Sequence, residues 1–296
     1  MLTRLKVTTG FWRIKKYAIL LPMTVIGIVF LVVIGAACGS FVGAMTWRMW
    51  RKMDWVKSRS ICEHCKHQLR VRDLVPILSW LLLRGKCHYC KKKIGWLAFG
   101  LEIGVATAFV VSYLFWPLGE IAVGDSINWI QIVLFAIWLI IVVFMTALLV
   151  YDARWRLLPN KLLWPLVGVA ATFAVLCNIG VHHLGLVDFL IQIGLAMIPV
   201  AGIYGLLYLM SRGKWIGLGD VKFGLVVGLL VNWLGAVLVL AGANILGTLM
   251  MMPLIIRRKL TMNSKIPFGP FLILATFLIF LFLPALTDLV EKYFLY

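Results

Sequence analysis

Two aspartates in this sequence stand at the ends of long apolar stretches, where a carboxylate is costly to bury. Asp152 closes one stretch, and Asp220 opens another directly after Gly217-Leu218-Gly219. A carboxylate at the centre of a bilayer costs about 2.5–3.5 kcal/mol. The glycines predict a turn freed from helical geometry that directs Asp220 into a wet cleft. Two carboxylates in one cleft can share a proton, so that one activates water while the other protonates a carbonyl, which is the chemistry of peptide hydrolysis.

Other roles for these carboxylates stay open from the residues alone. Asp152 can pair with Arg154 or Arg156, and Asp220 can cap its own helix. A third carboxylate, Glu102, lies within another apolar stretch, and we treat it as a candidate for cofactor binding. A transporter that binds a cation between two aspartates would show the same pattern.

Four cysteines form a second group with chemical potential. Cys62-Glu63-His64-Cys65 is followed, after 21 residues, by Cys87-His88-Tyr89-Cys90. Two such pairs, about 15–20 residues apart, are typical of a four-thiolate zinc site. The surrounding loop is polar and lacks apolar residues for a core, so that a metal would supply its folding free energy. We predict a structural zinc site, because redox chemistry needs one pair only and disulfides are disfavoured in the cytoplasm.

The composition places these residues in a membrane protein. The chain has 296 residues, of which 63% are hydrophobic and 14% charged, and its mean hydropathy is +1.01. Soluble domains are about 45–50% apolar and about 25% charged, so a soluble enzyme, a disordered chain and a secreted disulfide module are excluded. The net charge of +18 indicates basic loops facing anionic membrane lipids rather than a nucleic-acid partner.

Eight apolar stretches predict an all-α polytopic protein with about eight transmembrane helices. We expect a cytoplasmic zinc-binding loop domain at 47–94, between the N-terminal tail with its first helix (1–46) and a transmembrane peptidase domain (95–296). The stretches are Tyr17–Thr46, Ile94–Trp116, Trp129–Tyr151, Leu162–Cys177, Val187–Met210, Val221–Val231, Leu234–Ile256 and Pro270–Leu286.

Basic residues predict the orientation of these helices. Loop 47–94 holds 13 Lys and Arg, loops 152–161 and 211–222 hold three each, and loop 257–269 holds four. The intervening loops hold none, so basic and non-basic loops alternate as the positive-inside rule requires. The basic N-terminal tail disagrees, since an even number of spans puts it outside. We expect the larger charge of the next loop to decide the orientation, which places the zinc loop and both aspartates on the cytoplasmic side.

Taken together, these motifs resemble the bacterial type IV prepilin peptidases, which are bifunctional leader peptidase/N-methyltransferases of the GxGD class of intramembrane aspartyl proteases. The resemblance covers nearly the whole chain, with its motifs in the family's order. They are Gly39-Ser40-Phe41 with Arg48, the paired cysteines, the run from Asp73 to Cys87, Glu102, Asp152 with Leu158-Pro159, Gly217–Asp220, and Pro267-Phe268-Gly269-Pro270-Phe271.

The resemblance implies an enzyme of the bacterial cytoplasmic membrane that removes the basic leader of prepilins and pseudopilins. Cleavage follows a glycine, and the new N-terminal residue, often Phe, is then methylated with S-adenosylmethionine. Asp152 and Asp220 match the family's catalytic pair, with Gly217 and Gly219 supporting the catalytic loop. Asn160 stands where the family often has an aspartate. Because Asp152 is intact, we expect proteolysis to survive this change.

Other functions compete with this interpretation. A presenilin-like protease without methyltransferase activity would share the GxGD motif but not the paired cysteines. A cation-coupled transporter would depend on both aspartates yet cleave nothing. A membrane thiol oxidoreductase would need its cysteines outside, whereas the basic charge of their loop places them inside.

Overall fold

The structure is a computed structural model that describes residues 21–54, 60–62, 64–119, 121–123, 126–256 and 267–294. The N-terminal tail before Leu21, Glu63 and the basic residues of loop 257–266 lie outside these ranges. Almost all regular structure in the described part is helical, as expected. The helices are α1 (Leu21–Trp50), α2 (Leu78–Leu82), α3 (Trp96–Leu114), α4 (Trp129–Trp155), α5 (Asn160–Cys177), α6 (Leu186–Met197), α7 (Ile203–Ser211), α8 (Leu218–Leu230), α9 (Trp233–Ile256) and α10 (Gly269–Phe294).

Short elements connect these helices. A 3-10 turn at Val71–Leu74 precedes α2, and two-residue strands β1 (Ala122–Val123) and β2 (Ser126–Ile127) pair antiparallel before α4. π-helical turns extend α5 through Asn178–His182 and join α6 to α7 through Ile198–Gly202. The π-helical turn Ile198–Gly202 joins α6 and α7 into one continuous apolar segment.

In the described part of the chain, seven helical segments are long and apolar enough to cross a membrane. They are Val25–Trp50, Trp96–Leu114, Trp129–Trp155, Asn160–His182, Leu186–Ser211, Trp233–Pro253 and Gly269–Leu289. The chain is therefore a multi-pass membrane protein.

The predicted number of eight spans is not confirmed, although each predicted stretch is helical over most of its described residues. The sixth stretch forms α8, which has 13 residues and a length of only about 20 Å. The hydrocarbon core of a bilayer is about 30 Å thick. Val231 then adopts an extended conformation, and the Asn232 side chain accepts a hydrogen bond from the Gly235 amide at 2.8 Å. This break separates α8 from α9.

Helix α4 is the central helix of the bundle and fixes the position of Asp152 near its end. It packs against α1, α3, α5 and α10. Trp138, fully buried at its centre, stacks on Phe280 of α10 with ring centroids 3.9 Å apart. The Trp138 indole donates a hydrogen bond to Ser112 of α3 at 3.0 Å. These contacts hold α4 against α3 and α10.

Candidate active site

Asp152 lies in the last turn of α4 and is 6% exposed. The helix ends at Arg156, a left-handed cap whose amide donates to the Asp152 carbonyl at 2.8 Å. The backbone amide of Gly269, at the start of α10, faces the Asp152 carboxylate. A Cβ on Gly269 would lie 2.6 Å from Asp152 Oδ2. Glycine at this position therefore lets α10 approach the carboxylate.

Asp220 occupies the first turn of α8, and the backbone of Gly217, the N-cap residue, faces its carboxylate. The sequence predicted an unwound turn at the glycines before Asp220. This prediction is wrong for Gly219, which lies inside α8. A Cβ on Gly219 would lie 2.8 Å from the Cβ of Leu158. This glycine is explained by the close approach of the Leu158–Pro159 segment rather than by a need for unusual backbone angles.

The structure brings Asp152 and Asp220 together. Their carboxylates are close enough to repel each other electrostatically. One arrives from the C-terminus of α4 and the other from the N-terminus of α8, and Gly269 adds the N-terminus of α10. Two carboxylates in one partly buried site disfavour the simultaneous ionisation of both groups, because like charges repel. This arrangement can supply both a base and an acid to a peptide bond.

The basic residues near the pair have partners elsewhere. Lys222 Nζ donates to Asn160 Oδ1 at 2.8 Å and lies over the Trp164 ring at 5.7 Å. The Arg154 guanidinium lies over the Trp155 ring at 5.2 Å. Among the described residues, no ion pair joins these cations to either aspartate. The capping interpretation of Asp220 agrees with its contact to Gly217, and it is compatible with a role in the pair.

A cavity of about 510 Å³ opens beside Asp220. Its walls come from α7, the segment before α8, Asp220 of α8 itself, α9 and the residue that precedes α10. Sequence reasoning missed this cavity, because its members come from five separate parts of the chain. They are Ile203, Tyr204, Leu207, Trp215, Ile216, Asp220, Leu240, Asn244 and Phe268.

The four loop cysteines converge as the sequence predicts. Their Sγ atoms all lie within 4.8 Å of one another, and those of Cys62 and Cys90 are 3.9 Å apart. A tetrahedral zinc ion with Zn–S bonds of about 2.3 Å places its sulfurs about 3.8 Å apart. The set therefore fits zinc in both ligand type and spacing.

The two cysteine pairs sit in turns of the same geometry. The amide of Cys62 donates to the carbonyl of His67, and the amide of Cys87 donates to that of Lys92, each at 2.9 Å. In each turn the residue after the second cysteine has a positive φ, which is 58° at Lys66 and 57° at Lys91. The loop thus presents two equivalent turns to one centre.

The environment of Cys62 favours the thiolate that a metal requires. Partial burial raises the pKa of this thiol. Hydrogen bonds from the backbone of Cys65 and His64, together with the Cys87 side chain, lower it, and the net pKa is about 7.

Glu102 anchors the loop that carries the four cysteines. It is 7% exposed within α3, and its Oε2 accepts a hydrogen bond from the Ile77 amide at 2.7 Å. Ile77 has φ 63° and ψ −55°, a classic γ-turn conformation that is rare for a β-branched residue. The buried carboxylate therefore holds a strained turn against the membrane helix. Its predicted role in cofactor binding stays a prediction.

Comparisons with known proteins agree with this geometry. The model of the type IV leader peptidase family matches residues 139–252, which contain both aspartates. The model of the bacterial peptidase A24 N-terminal domain matches residues 33–116, which contain all four cysteines and Glu102. No solved structure matches the chain.

Curated relatives cover most of the chain. It is 26% identical over 275 residues to a prepilin leader peptidase/N-methyltransferase of Dickeya chrysanthemi, with 82% of this chain and 88% of that protein covered. The enzyme of the same name from Dichelobacter nodosus is 29% identical over 229 residues, with 75% and 71% covered. A type 4 prepilin-like proteins leader peptide-processing enzyme of Escherichia coli is 26% identical over 258 residues, with 80% and 87% covered. The chain belongs to the type IV leader peptidase family.

Proposed function

We propose that this protein removes the leader peptides of type IV prepilins or pseudopilins and then methylates the new N-terminus with S-adenosylmethionine. The convergence of Asp152 and Asp220 at the ends of two membrane-embedded helices supports the peptidase assignment most directly. The curated relatives carry both activities in their names. A presenilin-like protease and a cation-coupled transporter are not favoured, because neither accounts for these relatives.

The aspartate pair would act by general acid–base catalysis. The ionised carboxylate takes a proton from water, whose oxygen attacks the carbonyl carbon of the scissile bond. The protonated carboxylic acid gives its proton to the carbonyl oxygen. In the collapse of the tetrahedral intermediate, the carboxyl that took the proton from water gives it to the leaving nitrogen as the C–N bond breaks. The other carboxylate takes a proton back from a hydroxyl of the intermediate, so that both groups return to their starting states. Asp152 and Asp220 are the two groups in these roles. Gly217 supports Asp220 as the N-cap of its helix, and Gly219 lets Leu158 approach the same turn.

The site would face the cytoplasm of a bacterium, in its inner membrane. The basic loops that follow α1, α4 and α7 support this orientation by the positive-inside rule. Both aspartates then lie at the cytoplasmic membrane surface. A scissile bond between a polar leader and an apolar segment would lie at the same level.

The cytoplasmic loop would form a zinc-stabilised domain. Cys62, Cys65, Cys87 and Cys90 would hold the ion, which supplies folding free energy rather than catalysis. The division of the chain would be 1–46 for the tail and first helix, 47–94 for the zinc loop and 95–296 for the peptidase. S-adenosylmethionine would supply the methyl group that the new N-terminal amine accepts.

The direct test is a cleavage assay with purified protein in lipid vesicles and a prepilin substrate. Mass spectrometry of the product reports both reactions. We expect loss of the leader in every case, and a gain of one CH₂ only when S-adenosylmethionine is present. Cleavage without any methylation would overturn the methyltransferase assignment. Failure to cleave several prepilins would overturn the peptidase assignment.

A further inference from the structure

The cavity beside Asp220 has the size and lining of a specificity pocket. Ligand pockets are typically about 300–1,000 Å³ and mostly apolar, with a few polar groups that fix orientation. This cavity measures about 510 Å³, and Leu207, Leu240 and Phe268 are among its apolar walls. It is therefore large enough for a bulky side chain.

The polar groups of the cavity lie close to Asp220. The Tyr204 hydroxyl is near enough to this carboxylate to sense its charge, and it lies beside the Asn244 side chain. Asn244 Nδ2 donates to the Leu240 carbonyl at 2.7 Å, which fixes the carboxamide. Tyr204 itself is 5% exposed and packs edge-on against Phe268 at 5.8 Å. A hydroxyl and an amide without a formal charge suit a peptide group better than an ion.

The position of the cavity indicates which part of a substrate it receives. Its walls include α7 and α9, both of which belong to membrane-spanning segments. Ile203 and Trp215, at its edge, are 43% and 71% exposed, so that its apolar lining continues onto the lipid-facing surface. A polar leader would lose hydration there without gaining partners. The part of the substrate inside the bilayer is apolar, so it has no hydration to lose when it enters the cavity.

We propose that this cavity binds the large apolar side chain of the residue immediately after the scissile bond, with Leu207 and Leu240 determining its permitted size. The proposal rests on the proposed peptidase function. With that side chain in the cavity, the preceding peptide bond lies next to Asp220. Tyr204 and Asn244 then face the backbone of the bound segment.

The test places a larger side chain in the cavity and measures how well the protein discriminates between two substrates. Two prepilins are compared, identical except for Phe or Ala at the first residue after the cleavage site. Removing a methylene from a hydrophobic contact changes discrimination by about 10–200-fold. We therefore expect Leu240→Trp to lower the Phe-to-Ala ratio of kcat/KM by about tenfold or more, because the tryptophan occupies the space of the phenyl ring.

The matched control is Ile245→Trp, which adds the same indole five residues further along α9. Ile245 is 58% exposed and does not line the cavity, so the ratio should stay at its wild-type value. A wild-type ratio in an active Leu240→Trp enzyme would overturn the pocket assignment and leave the peptidase assignment intact. Failure of the wild-type protein to cleave either prepilin would instead overturn the peptidase assignment.

A second measurement does not depend on the folding of a variant. A prepilin with a photoreactive phenylalanine analogue at the first residue after the cleavage site is crosslinked to the wild-type protein in vesicles. We expect adducts on peptides that contain Leu207, Leu240 or Phe268. Adducts confined to α1 or α3 would overturn the proposal.

Discussion

The carboxylate of Asp152 rests against the backbone of Gly269, so closely that a Cβ on Gly269 would lie 2.6 Å from Oδ2. Asp152 ends α4, whereas Gly269 begins α10, more than a hundred residues later. Phe268, directly before this glycine, packs on Tyr204 in the cavity beside Asp220. The start of α10 therefore touches both halves of the site.

This contact predicts that Gly269→Ala impairs cleavage without unfolding the protein. The added methyl group must displace either the carboxylate or α10, and a misplacement of about 1 Å can lower a rate by about 10²-fold. We expect kcat/KM for prepilin cleavage to fall by about this factor. Gly104→Ala is the control, since a Cβ there meets nothing within 4 Å. Wild-type cleavage by the Gly269 variant would show that the contact does not hold Asp152 in place.

The cysteine cluster predicts one zinc ion per chain, held by all four thiolates. Cys62→Ser and Cys87→Ser should each abolish zinc in the purified protein, as measured by mass spectrometry of the metal. The loop should then become sensitive to proteases, because the metal replaces a hydrophobic core. Cys38→Ser, outside the cluster, should retain zinc. A wild-type protein without zinc, or with disulfides between these cysteines, would contradict the assignment.

Glu102 allows a test that separates anchoring from cofactor binding. Glu102→Ala leaves the partly buried amide of Ile77 without this acceptor, at a cost of about 1 kcal/mol. We expect the loop that carries the cysteines to loosen. We also expect a larger loss of methyl transfer than of cleavage, and the product mass reports both reactions. Glu102→Gln should restore methyl transfer, since its amide oxygen can accept the same hydrogen bond. Equal loss in the Gln and Ala variants would instead show that the carboxylate charge is required.

The sequence predicted the helical architecture and the groups that meet in space, because those features follow from local patterns. Apolar length located eight stretches that are largely helical where the structure describes them. The spacing of Cys62, Cys65, Cys87 and Cys90 predicted their convergence. The charge pattern put Asp152 and Asp220 at one depth, where the structure brings them together. The eighth span was not confirmed, since hydropathy alone does not show that α8 stops after 13 residues.

Features that depend on contacts between distant segments could not be predicted. The sequence suggested that Gly219 loosens the backbone, whereas the structure shows that it admits Leu158. Tyr204 and Asn244 carry no sequence signal, because each is a single polar residue in an apolar helix. The role of Gly269 likewise becomes visible only once α10 is placed against α4.

Prepilin cleavage by Asp152→Asn and Asp220→Asn in lipid vesicles is the decisive test of the aspartate pair. Both variants keep the side-chain shape but cannot exchange the proton. We therefore expect each to lose cleavage by at least the 10²–10⁴-fold typical of general acid–base catalysis, with protein level and membrane insertion unchanged. Asp188→Asn, an exposed aspartate in the first turn of α6, should cleave like the wild-type protein. Wild-type cleavage by either active-site variant would contradict the assignment of the pair.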